Sequence, residues 1–316
     1  MSEYLDYLWA EKHRPKRVKD CILPTFIKQS FEQYVAQKNI PNLLLSGSSG
    51  TGKTTVARAM LEELGCDYII INGSLQGNID TLRNDIRNFA SSLSIMGDGR
   101  KYVILDEADF LNPNSTQPAL RNFMEEYSKY CGFILTVNYS AKILDALKSR
   151  CVSIEFKTPS AEKKTLKAQF LKRFLAILAK EGYEADKMAV AGLINKHFPD
   201  WRKALGELQG YAEAVGKIDS GILVNFNDTN ISDLAGMMKV KNFTGCRKWV
   251  HDHSDIEPAE LFNTLFTKAD ELIEKASIPE FILILNKYSY QTAFVPIQEI
   301  NTIACLVEVM GHCQLK

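Results

Sequence analysis

Eight residues from Gly47 to Thr54 read G-S-S-G-T-G-K-T and fit the phosphate-loop pattern G-x-x-x-x-G-K-[ST], directly after an apolar N-L-L-L-S and directly before a helical segment. The chemistry implied is the binding of a nucleoside triphosphate. Ser49, Gly50, Thr51 and Gly52 would aim backbone N–H groups at phosphate oxygens, and the following helix start, which includes Thr55, adds partial positive charge. Lys53 would reach the β and γ phosphates, and Thr54 would ligate Mg²⁺.

About fifty residues on, K-Y-V-I-L-D-E-A-D ends an apolar run in two adjacent carboxylates, Asp106 and Glu107. In isolation these are two solvated acids at a strand end. Beside a phosphate loop they read as a metal-shell acid, Asp106, and a water-polarising base, Glu107. The run F-I-L-T-V-N ends at Asn138, either a turn former or a neutral donor that orients the water or the γ-phosphate. S-R-C places Arg150 at a helix end, where it is a surface arginine or a finger for a neighbouring subunit's nucleotide. F-P-D-W-R-K sets Arg202 in the first turn of a later helix, which folded over the nucleotide would sense the γ-phosphate.

Holding these groups together calls for an α/β scaffold. Apolar runs at Asn42-Ser46, Tyr68-Asn72, Tyr102-Asp106, Gly132-Asn138 and Val152-Phe156 alternate with helical spacing over Lys53-Leu64, Asp80-Ser92 and Ser115-Tyr127. That order predicts a five-stranded parallel sheet with helices on both faces, over residues 1–157. Thr158-Pro159-Ser160 breaks the pattern, and a small helical domain over 158–228 follows. In it a long helix runs from Ser160 to about Gly182, with further helices at Lys187-His197 and Asp200-Val215, the last capped by Asp200. Asn225-Asn230 is polar and reads as a hinge. Apolar stripes at Phe262-Leu265-Phe266-Ala269-Leu272-Ile273 and Ile300-Ile303-Ala304-Val307-Met310 predict an all-helical third domain, 229–316. The last stripe faces either its own core or a partner.

Composition narrows the classes. With 46% hydrophobic and 24% charged residues, the 316-residue chain is neither disordered nor fibrous. Lys plus Arg and Asp plus Glu both number 38, so any nucleic-acid contact must be a local patch. The stretch from Asp228 onward holds 8 basic against 12 acidic residues, which moves the search for that patch to the first 227. Seven scattered cysteines without C-x-x-C spacing suggest neither a disulfide framework nor a zinc site. No apolar run is long enough to span a bilayer, and acids occupy the N-terminus where a signal peptide carries bases. A soluble, unexported protein with reduced thiols is expected.

These residues resemble the AAA+ ATPases and, within them, the sliding-clamp loaders. The phosphate loop, D-E-A-D, Asn138 and S-R-C are similar to the replication factor C branch. C-I-L-P-T-F, L-R-N-F-M-E-E-Y-S and F-P-D-W-R-K are similar to the branch found in T-even bacteriophages. The resemblance covers the first 230 residues, and the rest fits a helical collar only in length and helical content. It implies an ATP-driven subunit, with Mg²⁺, of an open hetero-pentamer that loads a sliding processivity clamp at primer-template DNA, in the cytoplasm of an infected bacterium if of phage origin. It assigns adenine contact to Cys21-Ile22, the first sensor to Asn138, the finger acting in trans to Arg150 and the second sensor to Arg202. It also assigns DNA contact to Arg83 and Arg87 in D-T-L-R-N-D-I-R, a face diluted by Asp85. One departure is L-Q-G-N at Leu75-Asn78, which lacks the basic residue that restrains the catalytic glutamate in loaders; Asn78 is the substitute there. Branch-migration motors and helicase loaders share the same ATP site and form the runner-up class. D-E-A-D helicases would need a second motor domain and an H-R-x-G-R motif, neither of which is present. An inactive scaffold subunit is disfavoured because every catalytic position is filled.

Overall fold

A computed structural model describes residues 7–75, 79–92, 100–223, 226–254 and 256–316. The expectations for residues 76–78, including Asn78, lie outside the described residues. The chain divides into two compact units, Met1–Leu223 and Val224–Lys316.

The first unit opens with a short helix α1 (Trp9–Lys12) and α2 (Thr25–Gln37). A parallel sheet follows, with β1 (Leu43–Ser46), α3 (Lys53–Leu64), β2 (Tyr68–Asn72), α4 (Ile79–Ser91), β3 (Lys101–Asp106), α5 (Thr116–Glu126), β4 (Cys131–Val137), α6 (Asp145–Lys148) and β5 (Val152–Glu155). The spatial order is β2-β3-β4-β1-β5, all parallel. The three inner strands β3, β4 and β1 are buried along nearly their whole length because both faces are covered, whereas the edge strands β2 and β5 each bury one residue. Leu43, Leu45, Ile104 and Ile134 pack with Phe31, Val56 and Met60 on one face. Leu44, Val103, Leu105, Phe133 and Leu135 pack with Leu82, Ile86, Leu120 and Phe123 on the other. The expected strands and crossover helices are all present, with ends displaced by at most one residue.

A small helical layer completes this unit, made of α7 (Lys163–Glu181), α8 (Lys187–His197) and α9 (Trp201–Val215). The first of these helices starts at Lys163 and not at Ser160, because a turn closed by Glu162 N–H to Pro159 O, 3.0 Å, precedes it. The Glu162 carboxylate instead accepts from Thr25 N–H and Oγ1 at 2.8 and 2.9 Å, tying the layer to the start of α2. Two-residue strands β6 (Glu184–Ala185) and β7 (Lys217–Ile218) pair in parallel, an addition that the helical spacing did not foretell. Trp9 is buried in the core of this layer with Phe174, Val190, Leu193 and Leu208.

The second unit is helical, with α10 (Phe226–Lys239), α11 (Phe243–Asp252), α12 (Pro258–Thr267), α13 (Ala269–Leu272), α14 (Ile278–Gln291) and α15 (Gln298–His312). Over its described part the polar stretch Asn225-Asn230 is helical, not a turn, since Phe226 to Asn230 begin α10; the division between the two units falls just before it, after Leu223. On α15 the core face is Cys305, Leu306, Val309 and Met310. Of the expected stripe, Met310 belongs to that core and Ile303 and Ala304 pack against it, whereas Ile300 and Val307 are 60% and 42% exposed. No described helix is long and apolar enough to cross a membrane.

Candidate active site

Three strands end at one edge of the sheet, and their ends carry the chemistry. After β1 the chain enters the phosphate loop, where Gly50 (φ 71°) and Gly52 (φ 96°) adopt left-handed backbone that an L side chain resists. Lys53 opens α3 and is 8% exposed. Its Nζ donates to Gly47 O (2.7 Å), Ser48 O (2.8 Å) and Asn138 Oδ1 (3.0 Å). The phosphate loop and the end of β4 are thus joined through one ammonium. Burial pulls the Lys53 pKa below its usual range, opposed by the charges of Asp106, Asp109 and Asp200 and reinforced by Arg202.

At the end of β3, Asp106 Oδ1 accepts from Thr54 Oγ1 at 2.7 Å and from Thr136 Oγ1. Glu107 turns out of the strand with φ 54°, and its N–H donates to Thr136 Oγ1 at 3.3 Å. The last acid of D-E-A-D is buried, and its Oδ2 accepts from Tyr139 N–H at 3.3 Å, holding the turn that follows Asn138. The helical layer closes over this edge. Trp201 N–H donates to Gly50 O at 3.3 Å, and a Cβ on Gly50 would stand 1.8 Å from Asp200 Oδ1. Asp200 caps α9 through Lys203 N–H at 2.9 Å, as expected, and so positions the turn that bears Arg202.

One cavity collects Cys21, Ile22, Ser49, Gly50, Thr51, Gly52, Lys53, Thr54, Thr55, Asp106, Glu107, Asn138 and Arg202. Its apolar end includes Phe170 stacked on Trp201, with centroids 3.5 Å apart. Burial pushes the Cys21 thiol up to about 12, so it lines this space as an apolar wall and not as a nucleophile. Thr136 and three further residues missed from sequence belong here. His13 and Arg14 line the cavity, Arg14 reaches Thr55 Oγ1 at 3.4 Å, and His13 Nε2 lies 2.6 Å from Glu181 of α7. Arg173 donates to the carbonyls of His13 (2.7 Å) and Asp20 (3.3 Å), fastening both pocket-lining segments to the helical layer. The sequence signal for His13 and Arg14 is the run of bases in E-K-H-R-P-K-R, whereas Arg173 lies outside it in a helical segment.

Arg150, Arg83 and Arg87 do not join the cavity. Arg150 is held by Glu125, with Nε to Oε1 at 2.9 Å, and by Ala146 O at 2.7 Å. Arg83 and Arg87 are exposed on α4, flanking the buried Leu82 and Ile86.

The residues present fit a magnesium nucleotide. Backbone at positive φ leaves a cradle that any Cβ would fill, and a threonine hydroxyl bonded to an aspartate at its mouth is the oxygen donor set of a hard cation.

Residues 43–159 match the family described as ATPase family associated with various cellular activities (AAA). Residues 162–224 match the sliding-clamp-loader large subunit, AAA+ ATPase lid domain. The sliding-clamp-loader large subunit of Enterobacteria phage T4 is 39% identical over 259 residues, covering 79% of this chain and 80% of that protein. The replication factor C small subunit of Archaeoglobus fulgidus is 39% identical over 216 residues, covering 67% of this chain and 65% of that protein. Among solved structures, the Thermotoga maritima RuvB Holliday junction branch migration motor aligns with a TM-score of 0.52 at 19% identity, over 72% of this chain and 80% of its own. That last likeness concerns the fold alone.

Proposed function

We propose a function from the premise that this chain belongs to the sliding-clamp loaders of the AAA+ ATPases: it is the ATP-driven subunit of an assembly that opens a sliding clamp and places it on primer-template DNA. As a member of that family the chain is an ATPase. The observation that carries the reading is the convergence of the phosphate loop, Asp106, Glu107, Asn138 and Arg202 in one cavity closed by a lid of clamp-loader type.

In this reading Lys53 and the loop N–H groups bind the triphosphate, Thr54 and Asp106 hold Mg²⁺, and Glu107 takes a proton from the attacking water. Asn138 orients that water, and Arg202 reports the γ-phosphate to the lid. Mg²⁺ would neutralise charge developing on the β and γ oxygens. Cys21 and Ile22 flank the base. Arg150 of one subunit would complete the site of the next, so that the γ-phosphate joins subunits and its loss frees them. Arg83 and Arg87 would meet the DNA backbone. The exposed stripe on α15, with Ile300 and Val307, would pack against a neighbouring collar helix in a hetero-pentamer. The phage relatives support action in the cytoplasm of an infected bacterium.

The test is ATPase rate with neither, either or both of primed DNA and a candidate clamp. The rate should rise with each and most with both. Stimulation by branched DNA with no response to any clamp would favour the other AAA+ remodelling motors.

A further inference from the structure

We infer that Thr136 is a positioning residue for the two catalytic carboxylates, its single hydroxyl setting the rotamer of Asp106 and the backbone of Glu107 together. This rests on the nucleotide site proposed above and adds to it a residue whose type no motif specifies.

The argument begins with the sheet. β3 and β4 pair in parallel from Lys101 and Cys131 to Leu105 and Leu135. One step further, Asp106 lies beside Thr136 in the same register, so both side chains project from the same face of the sheet. Here the ladder cannot continue, because Glu107 leaves the strand with φ 54°. Its N–H therefore needs another acceptor, and Thr136 Oγ1 supplies it at 3.3 Å. The same oxygen carries a proton, which it donates to Asp106 Oδ1. Thr136 thus uses its donor and one acceptor site at once, on the two residues whose geometry matters most.

Its surroundings leave it little freedom. Thr136 is 1% exposed, and it is the polar residue within the run Cys131–Val137, every other member of which is buried and apolar or glycine. A buried hydroxyl costs free energy unless its bonds are made, so the packing that buries it also holds these bonds in place. Asp106 Oδ1 receives Thr54 as well, at 2.7 Å, so hydroxyls from two different elements orient one carboxylate. Such outer groups commonly contribute about 10- to 100-fold in metal affinity or activity.

Three variants of the full chain test this. Thr136→Val keeps shape and removes the hydroxyl; Thr136→Ser keeps the hydroxyl and removes a methyl; Lys53→Ala controls for the phosphate loop. Binding of a fluorescent, slowly hydrolysed ATP analogue is titrated first in EDTA and then against Mg²⁺, alongside kcat and KM for ATP. Thr136→Val should bind the analogue normally in EDTA. Its Mg²⁺ half-saturation should rise and its kcat fall, each by about 10- to 100-fold, with KM little changed. Thr136→Ser should recover most of both effects. If Thr136→Val keeps the Mg²⁺ half-saturation and kcat of the unsubstituted chain, or if Ser is as impaired as Val, the inference is overturned. Should Thr136→Val not fold by circular dichroism, Thr136→Ala is read by the same criteria. Analogue binding by Lys53→Ala as tight as by the unsubstituted chain would instead overturn the phosphate-loop reading beneath it.

Discussion

Lys53 and Glu107 occupy the same cavity but are held differently, which separates what their loss should do. The Lys53 ammonium satisfies two loop carbonyls and Asn138, so Lys53→Ala removes both the charge proposed to meet phosphate and the tie between β1 and β4. We expect that chain to lose ATP binding in equilibrium titrations. Glu107 is fixed through its backbone, so Glu107→Gln should keep ATP affinity and lose turnover. Near-normal turnover in Glu107→Gln would remove it as the base. Gly50 gives a third residue-scale expectation. Alanine there meets Asp200 and an unfavourable φ of 71°, the latter alone costing roughly 1–2 kcal/mol. Gly50→Ala should weaken lid closure, read as a rise in KM for ATP, while the same change at Gly65, where φ is 64° and nothing stands within 4 Å, should leave KM unchanged.

At the scale of elements, α4 shows how one helix can serve both core and surface. Leu82 and Ile86 anchor it on the sheet, and Lys101 donates to Phe89 O at 2.9 Å near its C-terminal end. Arg83 and Arg87 are thereby presented outward, one turn apart, as phosphate binding requires. Replacing both with Glu should weaken DNA binding alike across sequences. The slope of log K against log salt should flatten by about 0.9 for each phosphate no longer neutralised. Full DNA stimulation of ATPase in the double variant would exclude α4 as the DNA-binding helix. The lid helix α9 is positioned with similar economy, since Asp200 is both its N-cap and its point of approach to the phosphate loop; such caps contribute about 0.5–2 kcal/mol.

For the whole molecule, the decisive residue is Arg150, which is absent from the cavity of its own chain and bound to Glu125. A finger acting in trans predicts complementation. Arg150→Ala chains should bind ATP and turn over poorly, since such arginines contribute about 10³ to 10⁵ in rate. Mixed with Lys53→Ala chains under conditions of subunit exchange, they should regain activity, because an interface can pair an intact loop with an intact finger. ATPase rate plotted against mixing ratio should pass through a maximum. A straight line between the two inactive proteins would mean a site completed within one chain.

The local pattern alone carried much of this. A glycine-rich loop between an apolar strand and a helix, two acids ending a buried strand, and Asp200 before a helical repeat each depend on residues close in the chain, so spacing specifies them. Asp200 caps α9 as its sequence indicates, and the strand ends lie within one residue of their expected places. The polar stretch at Asn225-Asn230 lies beside the division between the units, but its described residues begin a helix, because polar, turn-prone residues also start helices when an apolar face such as Ile231 and Leu234 can be buried. The stripe on α15 was read correctly as helical, but periodicity cannot say which of two apolar faces meets the core. Thr136, His13, Arg14 and Arg173 remained invisible for a different reason. Their roles come from hydrogen bonds between segments as much as 168 residues apart, such as His13 to Glu181, and only the packed chain brings those partners within reach.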